Sequence, residues 1–299
     1  MCIDVIIVSY NSEKFIKSCI ESIKEKATGV EYGIAVVDNA STDNSVETVK
    51  NNFKEIKLIE NKENIGFSRA VNQAIRETDS EFILLLNPDT VLVNNAIKIF
   101  RDFMKANGKA ASCGGALYDD KMRPVISYGF FPSLKQIFFE EFGLRKLFKN
   151  YYFNKLSPGC TIGEGQREPI PVDYVSGASM FIRRGAAEES GYLDERYFMY
   201  YEETDLSFNL KRSGYLNMVL PEAKIIHYEG KSFGNIDCEK LKVMKRSEFI
   251  FFKKHHGSFA ALVAKILYIN GCIFRLIFRF DNSQIKKINI IFNSQKQNN

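Results

Sequence analysis

Apolar and polar positions along the first hundred residues keep two alternating rhythms. "IDVIIVS" (3–9) is a short β-branched run that ends on a polar residue, the mark of a buried strand. Phe15, Ile16, Cys19, Ile20 and Ile23 then recur at helical spacing. "GIAVVDN" reads as a second strand, and "STDNSVETVKNNF" follows with Val46, Val49 and Phe53 on one face behind a Ser/Thr/Asp start that suits an N-cap. "KLIEN" is a third strand. Phe67, Ala70, Val71, Ala74 and Ile75 mark a third helix, "EFILLLN" a fourth strand and "AIKIFRDFM" a fourth helix. Strand and helix thus alternate four times, which predicts an α/β fold: a mostly parallel sheet with helices on both faces.

Each of those strands ends on polar residues: Ser9-Tyr10-Asn11, Asp38-Asn39, Glu60-Asn61 and Asn87-Pro88-Asp89. Four such ends in one parallel sheet would line a single crevice, where open α/β folds bind ligands. "NPD" has two readings. Pro88 fixes φ, and Asp89 suits a turn or the cap of the next helix. Alternatively, Asp89 is a metal ligand at the carboxyl end of its strand.

Beyond "AASCGGALYD", a further strand, the pattern changes. Residues 128–170 are aromatic and basic, then loop-like, and read as an excursion from the sheet. This is either a surface helix pair or a wall on the acceptor side. "PVDYVSGASMFIRR" returns to strand character. "EETDLSFNLKRSGY" is a helix with Leu206 and Leu210 inward and Gly214 as its C-cap. "NMVLPEAKIIHYEG" reads as a strand pair followed by a loop.

Composition changes the picture in two places. The six cysteines lie far apart with no CxxC pair, which argues against a zinc site or disulfide framework and fits a reducing cytosol; the start has no basic leader of a signal peptide. The net charge of +5 is unevenly placed: Lys240 to Asn299 holds twelve Lys/Arg against two Asp/Glu. One acidic body carries one basic tail, which points to an anionic surface.

Neither the GxGxxG fingerprint nor the P-loop follows the first strand. A bound nucleotide would need another neutraliser for its phosphates, and a carboxylate holding Mg²⁺ or Mn²⁺ supplies one. Asp89 is the candidate, and His227, which also ends a strand, could complete the site. Arg69 and Asn72, three apart on one helix, share a face and could reach a diphosphate or sugar; a plain surface arginine fits as well.

Taken in order, "VIIVSYNSEKFIKSCIESI", "VVDNASTDNSVE", "NIGFSRAVNQAI", "LLLNPDT" and "VSGASMFIRRGAAEESGYLDERYFMYYEETDLSFNLKRSGY" resemble glycosyltransferase family 2, and within it the rhamnosyltransferase-like branch of bacterial surface-polysaccharide synthesis. The likeness runs over roughly residues 3–230. It implies a GT-A catalytic domain over 1–235, with a nucleotide-sugar half to about residue 120 and an acceptor half beyond, followed by a basic helical tail over 236–299. It implies an inverting, metal-dependent transfer from a nucleotide-diphosphate donor, such as dTDP-rhamnose or a UDP-sugar, to a lipid-linked or polysaccharide acceptor. In that pattern Ser9, Tyr10, Asn11 and Asp38 embrace the nucleoside. Asn87 takes the first position of the family's DxD motif, with Asp89 as metal ligand. Glu203 is the base of its ED motif, and Asp205 is the alternative. Asn87 and Glu203 depart from the family's usual acids there, which keeps open a catalytically silent nucleotide-sugar-binding component.

The tail reads as interfacial. "FAALVAKILYINGCIFRLIFRF" (259–280) is apolar but carries Lys265, Arg275 and Arg279. A spanning helix needs about twenty apolar residues, and a charge at mid-bilayer costs about 2.5–3.5 kcal/mol on insertion scales. Lying on an anionic membrane at the inner face of the cell lets the cations snorkel. The other reading packs this helix on the body or on a second copy of the chain. Nucleic acid is not an expected partner.

Overall fold

The computed structural model describes residues 3–163, 165–228, 238–279 and 283–293. The loop read after His227 (229–237) and the last six residues lie outside the described residues, as do the side chain of Arg279 and residue 2. In chain order the elements are β1 (Ile3–Ser9), α1 (Glu13–Lys26), β2 (Tyr32–Asp38), α2 (Ser45–Asn52), β3 (Lys57–Glu60), α3 (Phe67–Arg76), β4 (Phe82–Leu86), β5 (Thr90–Leu92), α4 (Ala96–Ala106), β6 (Ala110–Tyr118) and β7 (Tyr128–Gly129). There follow α5 (Leu134–Glu141), α6 (Leu144–Leu147), α7 (Lys149–Lys155), β8 (Ile170–Val172), β9 (Tyr174–Val175), β10 (Ser179–Arg183), α8 (Arg184–Glu189), α9 (Glu202–Arg212), β11 (Leu216–His227), α10 (Cys238–Arg279) and α11 (Ser283–Asn293).

The described chain divides into two units. The first comprises Met1–Gly129, Gly159–Glu195 and Glu202–Lys231; the second comprises Phe130–Pro158, Arg196–Tyr201 and Ser232–Asn299. In the first, nine strands among the described residues form one sheet, ordered β3-β2-β1-β4-β10-β6-β11-β5, with β8 beside β11. β1 to β4 are mutually parallel. All five residues of β4 are buried because both faces of the sheet are covered. Period two then sorts them: Phe82, Leu84 and Leu86 pack with α1 and α4, whereas Ile83 and Leu85 pack with α3.

Two readings need correction. The strand pair expected after Gly214 is one strand, β11. Pro221 reads as a break, but the ladder absorbs it as a bulge: Leu220 pairs with Gly115 and Lys224 with Ala116. Gly115 makes room for the bulge, since a Cβ there would stand 2.5 Å from the carbonyl oxygen of Ala223. Nor does Asp89 cap a helix. Three-residue β5 intervenes, and Asn95 caps α4 by accepting from the Lys98 N–H at 3.1 Å.

The second unit is helical among its described residues. α10 is interrupted at Gly257, whose φ of 86° is left-handed. Its core brings Ile137 of α5 against Phe249, Phe252, Ala264 and Tyr268 of α10 and Ile291 of α11. Gly271 lets α10 approach α5: a Cβ there would stand 2.5 Å from the Cβ of Glu141. The Glu141 carboxylate is bound by Arg275, whose second nitrogen donates to the Glu141 carbonyl at 3.0 Å. Residues 130–158 therefore group with the C-terminal helices.

Candidate active site

Strand direction alone assembles the site. β10 runs antiparallel to both β4 and β6, and β11 runs parallel to β6. The carboxyl end of β11 therefore lies on the same sheet edge as those of β1 to β4. β5 is antiparallel to β11 and starts at that edge, with Thr90 paired to His227.

At this edge "NPDT" is a turn and more. The Asn87 carbonyl accepts from the Thr90 N–H at 3.2 Å and from its hydroxyl at 2.7 Å. Pro88 and Asp89 are left at the turn's two central positions. Asp89 Oδ1 then stands 3.3 Å from His227 Nε2, and the Asp89 carbonyl accepts from the Tyr228 N–H at 2.9 Å. Two ligands on adjacent corners of an octahedral ion, each about 2.1 Å from it, would be about 3 Å apart. The two side chains thus fit one divalent cation. Among the described residues no third His, Cys, Asp or Glu joins them.

The turn between β9 and β10 links this pair to the acids of α9. The Ala178 carbonyl accepts from the Asn87 N–H at 3.0 Å. A Cβ on the neighbouring Gly177 would stand 3.6 Å from the Glu203 carboxyl carbon, so that side chain lies over the bare glycine backbone. Glu203 is half-buried at the start of α9. Burial pushes its carboxyl up from the ordinary glutamate value, against the pull of the Glu203 and Thr204 N–H groups. Glu202 is only 6% exposed, and its Oε2 has no partner. Burial and then the charge of Glu203 push it well up. Asp205 is fully buried and accepts from Asn209 Nδ2 at 3.4 Å. Glu203 Oε2 is likewise buried without a partner, but of the three acids Glu203 alone is not fully buried as a residue and sits on the β9–β10 turn.

The expected nucleoside side is built from loops that hold each other. Asp38 is buried and accepts from the Ser41 N–H at 2.9 Å and from the Ser41 hydroxyl at 2.5 Å. Asn11, at a left-handed φ of 51°, donates its N–H to the Ser41 hydroxyl at 2.9 Å and accepts from the Thr42 N–H at 2.8 Å. Ser9 is buried against the Ser12 hydroxyl at 2.7 Å, while Tyr10 is exposed. Sequence reasoning missed Asn39, which bonds both Asn61 and Asn64 and so ties the ends of β2 and β3 to the start of α3. Its signal was present: an amide directly after a strand-ending acid.

Arg69 and Asn72 share the helix face that meets Glu195, whose Oε1 accepts from Asn72 Nδ2 at 3.2 Å, but they differ in burial. Arg69 is exposed, with Nε 3.8 Å from Glu195. Asn72 is buried and uses its amide on the 193–195 loop, donating to the Leu193 carbonyl at 2.8 Å and accepting from its N–H at 3.3 Å. An amide engaged on both sides is a staple between α3 and that loop.

The sequence profile of glycosyl transferase family 2 matches residues 4–191. The chain belongs to this family. It is a glycosyltransferase, and its fold is GT-A. Among relatives, it is 25% identical to the N-acetylglucosaminyl-diphospho-decaprenol L-rhamnosyltransferase of Mycobacterium tuberculosis over 267 residues, covering 85% of this chain and 84% of that protein. It is 26% identical to the rhamnosyltransferase WbbL of Escherichia coli, covering 75% and 82%. Among solved structures, a mannosyltransferase from Pyrobaculum calidifontis in complex with GDP-Man and Mn²⁺ superposes with a TM-score of 0.57 at 12% identity, covering 98% of this chain and 84% of that one. That likeness shows the fold alone. The silent-component reading gives way to the enzyme.

Proposed function

We propose that this family 2 enzyme is an inverting, cation-dependent transferase that moves a rhamnose-like sugar from a nucleoside-diphosphate donor to a lipid-linked acceptor at the inner face of the cell membrane. The observation that carries the reading is the single sheet edge that pairs Asp89 with His227 and joins them, through the 176–179 turn, to Glu203. The names of the two rhamnosyltransferase relatives support the sugar, and the decaprenol-linked substrate of the first supports the acceptor.

In this reading the Asp38–Ser41–Asn11 loops and Tyr10 receive the nucleoside, and Asn87 and Arg69 border the donor. Asn72 acts through the 193–195 loop as a positioning residue. Asp89 and His227 would hold Mg²⁺ or Mn²⁺, which when bound offsets the charge that develops on the leaving diphosphate. Glu203 takes the proton of the acceptor hydroxyl while that oxygen bonds the anomeric carbon. The bond from that carbon to the diphosphate oxygen breaks, and its electron pair leaves with the diphosphate. A base facing away from the leaving group inverts the centre. A base whose pKa is raised by burial is also a stronger proton acceptor once ionised.

The test is a donor panel (dTDP-rhamnose, UDP-sugars and GDP-mannose) with a polyprenyl-diphospho-N-acetylglucosamine acceptor. Released nucleotide is measured with Mn²⁺ and with chelator, and the anomeric configuration of the product is read by NMR. Rhamnosyl transfer that needs the cation and inverts is expected. Retention of configuration, or full activity in chelator, would remove the reading.

A further inference from the structure

The second unit carries apolar and basic surface that the transfer chemistry does not use. The arm of α10 after Gly257 packs Ala261, Ala264, Tyr268 and Cys272 into the helical core. Phe259, Leu262, Ile266, Ile273 and Ile277 of the same arm are exposed, with Phe259 79% exposed. At 100° per residue the two sets lie roughly 150° apart round the helix. One apolar face is buried, and a second apolar face has water against it.

The same surface continues onto α5 to α7. Ring contacts run from exposed Phe138 to Phe142, on to Phe274 and then to exposed Phe278, at centroid spacings of 5.0, 5.8 and 4.7 Å. Phe139 adds contacts to exposed Phe148 and Tyr151. Leu147, the last residue of α6, is 77% exposed. Interleaved with these are Arg145, Lys146, Lys149 and Lys155, all exposed and without a carboxylate partner among the described residues. Over its whole length this unit holds eighteen Lys/Arg against six Asp/Glu, a balance of +12, while the sheet-bearing unit stands at −7.

We propose that α5–α7 and the outer face of the second arm of α10 together form one interfacial surface for an anionic lipid bilayer. Aromatic and aliphatic side chains enter the headgroup boundary, and the lysines and arginines meet its phosphates. The 41 residues 238–278 are long and apolar enough to cross a membrane. Crossing would strip Tyr268 from Glu248, to which its hydroxyl donates at 2.6 Å, and Arg275 from Glu141. Both partners keep α10 packed in its unit, so it lies on the bilayer. The new element is the excursion at 134–155, which reads the membrane together with the tail. The proposal rests on the reading of a lipid-linked acceptor only for its purpose; binding is measured without turnover.

The experiment is flotation of the full chain with phosphatidylcholine vesicles, with and without about a third phosphatidylglycerol. Salt is set at about 0.1 M and about 1 M, across which the screening length falls from ~10 to ~3 Å. Tight, salt-sensitive binding to the anionic vesicles alone is expected. Lys146→Glu/Lys149→Glu and Leu147→Ser/Phe148→Ser, all at exposed positions, should each weaken it at least tenfold while donor hydrolysis and thermal stability stay as in the parent. The proposal is overturned if both variants bind like the parent, because the tail then acts alone. It is overturned if neutral and anionic vesicles bind alike, or if carbonate fails to release the protein, because α10 then crosses. It is also overturned if the chain ignores vesicles and instead self-associates through this face. Binding without sugar transfer to the lipid-linked acceptor would leave the proposal standing and remove the reading of that acceptor.

Discussion

In the sheet-bearing unit, β4 keeps five apolar residues in a row out of water, and its polar neighbours at the strand ends form the proposed site. In the helical unit, α10 shows apolar residues on both sides, and its polar groups serve as internal clamps. Among the described residues, four of the large exposed apolar side chains lie in the first unit and thirteen in the second. The charge divides the same way, −7 against +12. A group that must discriminate one sugar nucleotide needs polar atoms fixed on a rigid sheet. A group that must hold a fluid, anionic surface needs exposed area and cations but little fixed geometry. On the proposed reading, the difference gives chemistry and placement to separate parts of one chain.

Substitutions should respect that assignment, and the largest effect is expected at Asp89. Asp89→Ala should remove transfer altogether while the circular dichroism spectrum and vesicle flotation stay unchanged. Near-normal transfer in buffer replete with Mn²⁺ would show that the Asp89–His227 pair is not the cation's seat. Next comes Glu203→Gln, expected to cost about 10²–10⁴ in kcat with donor affinity kept within a few-fold, the usual loss for a general base. If Asp205→Asn gives that signature instead, the base sits one half-turn further along α9.

How far these assignments were legible in the sequence follows from the range of the contacts. The alternation of β1 to β4 with α1 to α4 is written in local periodicity, because each element buries its own face. The polar strand ends were readable for the same reason. β5 was not, since three residues carry no period, and β11 was split by a proline that only its bulge against Gly115 explains. That Asn72 is buried and spends its amide on Leu193 was not legible, because that partner is 121 residues away. The helical unit was the least legible part. Its core joins residues 137, 249 and 291, and no local pattern says that an aromatic stretch before residue 160 belongs with the C-terminal helices.

That core offers a way to break the comparison from the other side. Gly271→Leu would drive a side chain into Glu141 and disturb its Arg275 clamp. Overpacking costs about 1–3 kcal/mol. Hydrogen exchange should accelerate in α5 and α10, and β1 to β4 should keep their protection. Equal acceleration in the sheet would show that the two units do not hold themselves together separately.

The smallest expected effect sharpens the comparison at its buried acids. In the helical unit, Glu141 is held by Arg275, and Glu248 by Tyr268 and by Lys245 at 2.8 Å. In the sheet-bearing unit, Glu202 is buried with one oxygen unpartnered. Burial first, and then the neighbouring Glu203 charge, raise its pKa well above the ordinary 4.5. The folded chain therefore keeps a proton there that the unfolded chain has released. Stability is unaffected below about pH 4.5 and falls as pH climbs from there toward the raised folded value, because the folded state then binds more protons than the unfolded one. Glu202→Gln keeps the shape of the protonated side chain and has no proton to lose. At pH 4 its Tm should match the parent's. At pH 7 it should be higher than the parent's, and the gap should widen as pH rises from 4. Transfer should stay within a few-fold, since Glu203 remains in place. Thermal melts of both proteins at the two pH values check this. An equal gain at both would mean that the unpartnered carboxyl is not the source of the pH dependence, and the contrast with the clamped acids of the helical unit would then disappear.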